Sequence, residues 1–330
     1  YTTLFRSMEK VRFADFTSNP LFEDICKGIH LFQTERCDTL LAVGGGSAID
    51  VAKCIKMAVT GMENTTGTNL FATTAASRQP SVPPPLVAIP TTAGTGSEST
   101  HNAVMYYEGA KQTMTNDGIL PDYAVLEPAV LKTLPLYQKK CTMLDALCQG
   151  IESWWSVGAT ETSIGYAKAA VEGIVANWRS YIFDSDETAA ALIMLAANYG
   201  GRAINISATT AAHAMSYKIT SLYGYAHGHA VAMCLPLTWE FLIDRAEGDV
   251  RERLCAIDRL MTGRDDATFG DGLTAFTRLF RRLGLPAGPE DPGNHLNELV
   301  ESVNAERLSN FPVALSADDL RGMYRRSPNQ

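Results

Sequence analysis

Two stretches of the sequence carry residue types that hold metals. "CTMLDALCQGIESWWS" places Asp145 and Gln149 four residues apart. On a helix their side chains share one face, one turn apart. In "TTAAHAMSYKITSLYGYAHGHAVAM", His213 and Tyr217 are again four apart, and His227 follows His213 by fourteen residues, beyond a break at Gly224. Of six histidines, three fall between His213 and His229. One carboxylate oxygen, one amide oxygen and two imidazoles would make a four-ligand site with a place left for a substrate. Each residue also has a plainer reading. Asp145 would serve as an acid at a helix start, Gln149 as a solvated polar group, His213 as a core histidine, and His227 with His229 as an exposed turn beside glycine.

A second set of residues suits phosphate. "LAVGGGSAIDVAKCI" runs from Leu41 to Ile55, with three glycines after a short apolar run and a helical pattern beyond. A helix N-terminus presents unpaired N–H groups and favours an anion, and glycine lets the backbone approach it closely. Ser47 would cap that helix or donate to the phosphate. The pattern is neither G-x-G-x-x-G nor a Walker loop, so alone it equally describes a capped turn. "IPTTAGTGSEST" (Ile89 to Thr100) is a second loop of small and hydroxyl residues, again straight after an apolar run. Two such loops at the carboxyl ends of strands point to dinucleotide binding.

The elements that must position these groups fall into two regimes. Up to residue 135, strands alternate with helices. Thr39 to Val43, Pro85 to Thr92 and Asp122 to Pro128 read as strands, and Ser47 to Val59 reads as a helix. "AVMYYEG" and "KQTMTN" read as two extended segments around a Glu-Gly turn. Continuous apolar strands with intervening helices predict a mainly parallel sheet covered on both faces. From residue 136 to 330 the pattern is helical. Ile164, Ala167, Val171, Ile174 and Trp178 recur at helical spacing, as do Leu273, Phe276, Leu279, Phe280 and Leu283. This half reads as a bundle of helices.

Bulk properties exclude other classes. The 330 residues exceed the size at which a single core usually stops growing, which favours two domains. A net charge of −8 with no basic run argues against nucleic acid or an anionic membrane as partner. No apolar run is long enough for a membrane span. Seven scattered cysteines with no C-x-x-C fit reduced thiols and a cytoplasmic setting. "YTTLFRS" at residues 1–7 lacks a starting Met and fits nothing around it, so the chain is expected to begin inside a longer protein.

Taken together, "GGGSAIDVAK", "IPTTAGTGSE", "LPDYAVLEP", "DALCQGIES" and "HAMSYKITSLYGYAHGHA" resemble, in order, the motifs of the iron-containing (group III) alcohol dehydrogenases. The resemblance covers nearly all of residues 11–330. It implies an N-terminal α/β dinucleotide-binding domain over residues 1–135, lacking its first strands, and an all-α C-terminal domain over 136–330. This is the architecture shared with dehydroquinate synthase. It implies NAD or NADP as cofactor and one divalent metal, Fe2+ or Zn2+, in the cleft between the domains. Asp145, His213 and His227 match the family's metal ligands. Position 149 departs, with Gln149 where the family has His, as does Tyr217 where many members carry His. A neutral amide oxygen binds more weakly than imidazole but still coordinates.

By the same resemblance, Gly45, Gly46, Ser47 and Asp50 would cradle the pyrophosphate. Thr91, Thr92, Thr95 and Ser97 would surround the phosphates and the nicotinamide side, and Lys111 would reach a ribose hydroxyl. His227 and Tyr217 would serve catalysis, Tyr217 as a proton relay or a pocket wall. The two departures together are similar to a branch that reduces phosphonoacetaldehyde to 2-hydroxyethylphosphonate. Lys218 is one cation for a phosphonate, although it lies off the metal face of a regular helix. Trp154 and Trp155 are expected in the core or in a pocket wall. A generic primary alcohol or lactaldehyde dehydrogenase is the alternative. A lyase of the dehydroquinate synthase type would want Lys and Arg around the metal, and the helical half shows few. A non-catalytic binder is the remaining reading. Family members often dimerise, so a homodimer is an expectation.

Overall fold

The computed structural model describes residues 9–73, 82–289, 293–303 and 305–326, so the reading of residues 1–7 lies outside the described residues. The chain divides into two compact units, one drawn from Tyr1–Pro90 and His101–Val125, the other from Thr91–Thr100 and Leu126–Gln330.

In the first unit α1 (Phe22–Thr34), β1 (Leu40–Gly44), α2 (Gly46–Thr60), β2 (Leu86–Pro90), β3 (Asn102–Tyr107), β4 (Ala110–Thr115) and β5 (Tyr123–Ala124) follow in order. Strands β1, β2 and β5 form a parallel sheet in the order β1-β2-β5. The expected hairpin is present: β3 and β4 pair antiparallel, and Glu108 and Gly109 between them both have positive φ. That conformation matches a two-residue hairpin loop to the strand twist. Helix α2 is buried on two sides. Ile49 and Ala52 pack with Ala42, Leu86 and Ala88 of the sheet. Val51, Ile55 and Met57 pack with α1 and the hairpin through Ile25, Ile29, Met105 and Met114.

Burial on two sides makes the lysines of α2 informative. Lys53 donates to the Asn102 carbonyl at 2.8 Å, and Lys56, with 3% of its side chain exposed, pairs with Asp122 at 2.8 Å. Asp122 also accepts from the Leu86 amide at 2.7 Å, tying the sheet to the pair. Burial pushes the Asp122 carboxyl up, but the hydrogen bonds from Lys56 and Leu86 outweigh it and hold its pKa below the ordinary value. A depressed folded pKa adds stability that is full above about pH 4 and lost as pH falls through the folded value. Asp122→Ala is expected to cost about 2 kcal/mol, since it strands a buried ammonium while Asp122 itself is partly solvated. Urea denaturation at pH 7 and pH 3 checks this. The difference between parent and variant should shrink at the lower pH.

One expectation about the sheet is corrected. The face carrying Leu41, Val43, Tyr123 and Val125 is not covered: these residues are 42%, 42%, 66% and 45% exposed. Helix α2 packs on the other face through Ile49 and Ala52. The apolar runs read as strands buried on both sides because periodicity reports side-chain type, not which neighbours arrive to cover it.

The second unit is helical. Its elements are α3 (Leu136–Trp155), α4 (Glu161–Arg179), α5 (Glu187–Ser207), α6 (Ala211–Tyr223), α7 (His227–Arg245), α8 (Gly248–Thr262), α9 (Asp271–Arg282), α10 (Leu296–Glu301), α11 (Ala305–Ser309) and α12 (Ala317–Arg325). Helix α3 is the central one. Every residue from Met143 to Trp155 is buried, and α4, α5, α7 and α8 pack around it. The small-residue loop Thr91–Thr100 groups with these helices. Gly94 abuts Thr142 of α3, and Gly96 abuts Gly201 of α5 with backbone against backbone. Among the described residues, no helix is long and apolar enough to cross a membrane.

Candidate active site

A central helix buried along most of its length still carries Asp145, Gln149 and Glu152, at 3%, 4% and 0% exposure. They are spaced four and three residues apart, so they line one face. Burying polar groups is costly unless each finds a partner, so this face must meet a polar counterpart. The counterparts come from α6 and α7. His213 lies in the first turn of α6, and His227 is the first residue of α7. Gly224, in the left-handed conformation at φ 72°, ends α6 and turns the chain back toward α3.

His213 Nε2 lies 3.3 Å and His227 Nε2 3.8 Å from Asp145 Oδ1. The three ligand atoms that Asp145, His213 and His227 offer lie within 4.8 Å of one another. One turn along α3, the Gln149 Nε2 donates to the Thr95 carbonyl at 3.2 Å, which leaves Oε1 as the other end of the amide. That Oε1 is buried with no hydrogen-bond partner, an expensive state for an amide oxygen unless a cation completes it. Asp145 and His213 are closed off from solvent, while 37% of the His227 side chain is exposed, so the cluster opens on the His227 side. Two imidazoles and a carboxylate that converge, with a buried amide oxygen one helical turn away, fit a divalent metal.

The close approach of α7 to α3 rests on Gly228. A Cβ at that position would lie 2.0 Å from the Cys141 carbonyl oxygen and 2.7 Å from the Asp145 Cβ. Two backbones therefore touch where His227 meets Asp145. The next residue, His229, is fully buried rather than part of an exposed turn. Its Nε2 lies 2.8 Å from the Pro286 carbonyl, so it donates there, and Nδ1 accepts a hydrogen bond from the Tyr137 hydroxyl at 3.1 Å. Burial lowers the His229 pKa despite the Pro286 bond, and the ring, held at both nitrogens, anchors the first turn of α7. Tyr137 in turn accepts from the Ala226 amide at 3.2 Å.

Other candidates are placed as follows. Tyr217 stacks on His227, with ring centroids 5.7 Å apart and an interplanar angle of 14°. Lys218 is engaged by Glu298 at 2.5 Å. Trp155 is a core residue whose Nε1 donates to Thr210 Oγ1 at 3.1 Å, and Trp154 is buried too. The nine residues expected at a cofactor divide between the units. Gly45, Gly46, Ser47, Asp50 and Lys111 lie in the first, and Thr91, Thr92, Thr95 and Ser97 in the second. Gly45 is the N-cap of α2, and no side chain caps that turn. Ser47 Oγ donates to the Ser18 carbonyl, and Asp50 accepts from the Val104 amide at 3.0 Å.

Glu152 was not anticipated from the sequence. It lies beside His213 and bonds to the ring at Nδ1, opposite the Asp145 side. Burial works against the imidazolium, but Glu152 and Asp145 on either side outweigh it and hold the His213 pKa well above its ordinary value. The spacing from Asp145 and Gln149 was the available signal.

Family models match both parts of the chain. Residues 3–128 match the iron-containing alcohol dehydrogenase model, and residues 140–327 match the C-terminal model of the same family. The chain belongs to the iron-containing alcohol dehydrogenase family and is an oxidoreductase of the alcohol dehydrogenase class. Among its relatives, the probable alcohol dehydrogenase EutG of Escherichia coli is 31% identical over 313 residues, 92% of this chain and 76% of that protein. The phosphonoacetaldehyde reductase of Streptomyces viridochromogenes is 36% identical over 206 residues, 61% of this chain and 52% of that protein. A sulfoacetaldehyde reductase from Bifidobacterium kashiwanohense, solved in complex with NAD+, superposes with a TM-score of 0.83 at 26% identity. It covers 97% of this chain and 84% of the other.

Proposed function

We propose that this protein reduces a small aldehyde to a primary alcohol with NADH or NADPH, and that the aldehyde is phosphonoacetaldehyde, giving 2-hydroxyethylphosphonate. The observation that carries the metal-dependent part is the convergence of Asp145, His213 and His227, with the Gln149 oxygen left unpartnered one turn away. The substrate reading is supported by two relatives named for aldehydes that bear an anionic head group.

Asp145, Gln149, His213 and His227 would hold one divalent ion, Fe2+ or Zn2+. When bound, such an ion polarises a carbonyl as a Lewis acid, and a reduced nicotinamide supplies hydride to the carbonyl carbon. The chain's own residues orient and protonate. Tyr217 braces the His227 ring by stacking, and its hydroxyl is our candidate to pass a proton to the oxygen that becomes the alcohol. The uncapped first turn of α2 offers N–H groups to the pyrophosphate, with Gly45 and Gly46 leaving the approach clear. Thr91, Thr92, Thr95, Ser97 and Lys111 are assigned to the rest of the cofactor.

A second reading, a dehydrogenase of short unsubstituted alcohols, draws on Lys218. Its charge is already matched by Glu298, so it is not the cation that would read a phosphonate. The test is a panel assay. The chain is loaded with Fe(II) or Zn(II), and NAD(P)H absorbance is followed with phosphonoacetaldehyde, sulfoacetaldehyde, acetaldehyde and lactaldehyde. Preference for phosphonoacetaldehyde by tenfold or more in kcat/KM, about 1.4 kcal/mol, is expected. Turnover of short alkyl aldehydes alone would move the assignment to the second reading, and no oxidation with any of them would end both.

A further inference from the structure

We propose that Glu152 is a positioning residue that sets the tautomer of His213, and that its two oxygens divide this task from capping α6. The inference rests on the reading of Asp145, Gln149, His213 and His227 as metal ligands.

The first oxygen faces the start of α6. Glu152 Oε1 accepts from the Thr210 amide at 3.2 Å, the Thr210 hydroxyl at 2.6 Å, the Ala212 amide at 2.9 Å and the His213 amide at 3.4 Å. These are the orphan donors of a helix N-terminus. No side chain of α6 or its N-cap Thr210 fills that role, so a residue from the central helix does. The second oxygen, Oε2, meets His213 Nδ1. A carboxylate there is an acceptor only, so Nδ1 must carry the hydrogen. With that hydrogen held at Nδ1, Nε2, the atom 3.3 Å from Asp145, is the nitrogen left to offer a lone pair once any proton it carries has gone. An imidazole binds a metal through a nitrogen without hydrogen, so holding the hydrogen at Nδ1 favours Nε2 as the ligand atom of His213.

The division of labour makes the role separable. In Glu152→Gln, the amide oxygen can still accept from the helix N–H groups. The NH2 group then faces Nδ1 and can only donate, which favours the tautomer with hydrogen at Nε2. The cap survives and the lone pair turns away. In Thr210→Val the reverse holds, because part of the cap is lost while Oε2 still meets Nδ1. Trp155 Nε1 loses its acceptor as well.

The test uses the metal-free full chain, titrated with Zn(II) in competition with a chromophoric chelator, with thermal unfolding of each metal-free sample alongside. Affinity is expressed per folded molecule. Glu152→Gln is expected to weaken Zn(II) binding by roughly 10- to 100-fold, the usual loss for an outer partner of a ligand histidine. Thr210→Val is expected to lower the unfolding temperature and leave affinity within about twofold, far inside the 10- to 100-fold loss that removing the histidine's own partner brings. Parent-like affinity in Glu152→Gln overturns the inference. Equal weakening in both variants also overturns it, since capping alone would then explain the effect. If the parent takes up no metal, the ligand reading itself fails, and the inference fails with it.

Discussion

Replacing Gly228 by alanine is expected to remove metal binding and to destabilise the helical unit by on the order of 3 kcal/mol. The added carbon would sit 2.0 Å from a backbone oxygen of α3 and 2.7 Å from the Asp145 Cβ. Neither neighbour is the far end of a flexible side chain, so α7 must shift bodily, in a core packed too densely to absorb the move locally. His227 heads that helix and lies 3.8 Å from Asp145, so any withdrawal of α7 carries a ligand away. Metal content of the purified protein and its thermal unfolding give the measurement. A variant with parent-like stability and stoichiometric metal would show that the helices do not depend on contact at this glycine.

His227→Ala isolates the ligand from the packing. The side chain is 37% exposed and lies at the open side of the cluster, so its loss leaves no deep cavity. Stability should change by under about 1 kcal/mol. Bound metal and turnover should both fall by more than the 10- to 100-fold typical of losing an outer partner. The Tyr217 ring would lose its stacking partner at 5.7 Å but keep its place on α6. Stoichiometric metal in this variant would refute the ligand assignment. The contrast between the two variants is the informative result: one disturbs structure and site together, the other the site alone.

Much of this was legible in the sequence, and the exceptions have physical reasons. The spacing of Asp145 and Gln149 fixed a shared helix face, and the Glu-Gly turn of the hairpin was readable from chemistry local to it. Groups whose state depends on distant partners were less legible. His229 reads as an exposed turn because glycine precedes it, yet Tyr137 and Pro286, remote in sequence, make it a buried anchor. Lys218 reads as a free cation until Glu298 arrives from α10. Glu152 shared a face with two recognised residues, but its importance lies in the start of α6, some sixty residues on. The bare face of the sheet was missed for the converse reason. Strand composition shows what could be covered and says nothing of whether a covering element is there.

The contact of Gly96 with Gly201 bears on how this sequence can change over time. Each glycine occupies the space where the other's side chain would grow: a Cβ on Gly96 would lie 2.4 Å from the Gly201 Cα, and one on Gly201 would lie 2.5 Å from the Gly96 carbonyl oxygen. Gly96 also holds a positive φ, which alanine resists. Neither position can be relaxed by enlarging its neighbour, so no compensating pair of larger residues exists and no single-step route leads away. These two positions, 105 residues apart, therefore behave as one steric unit.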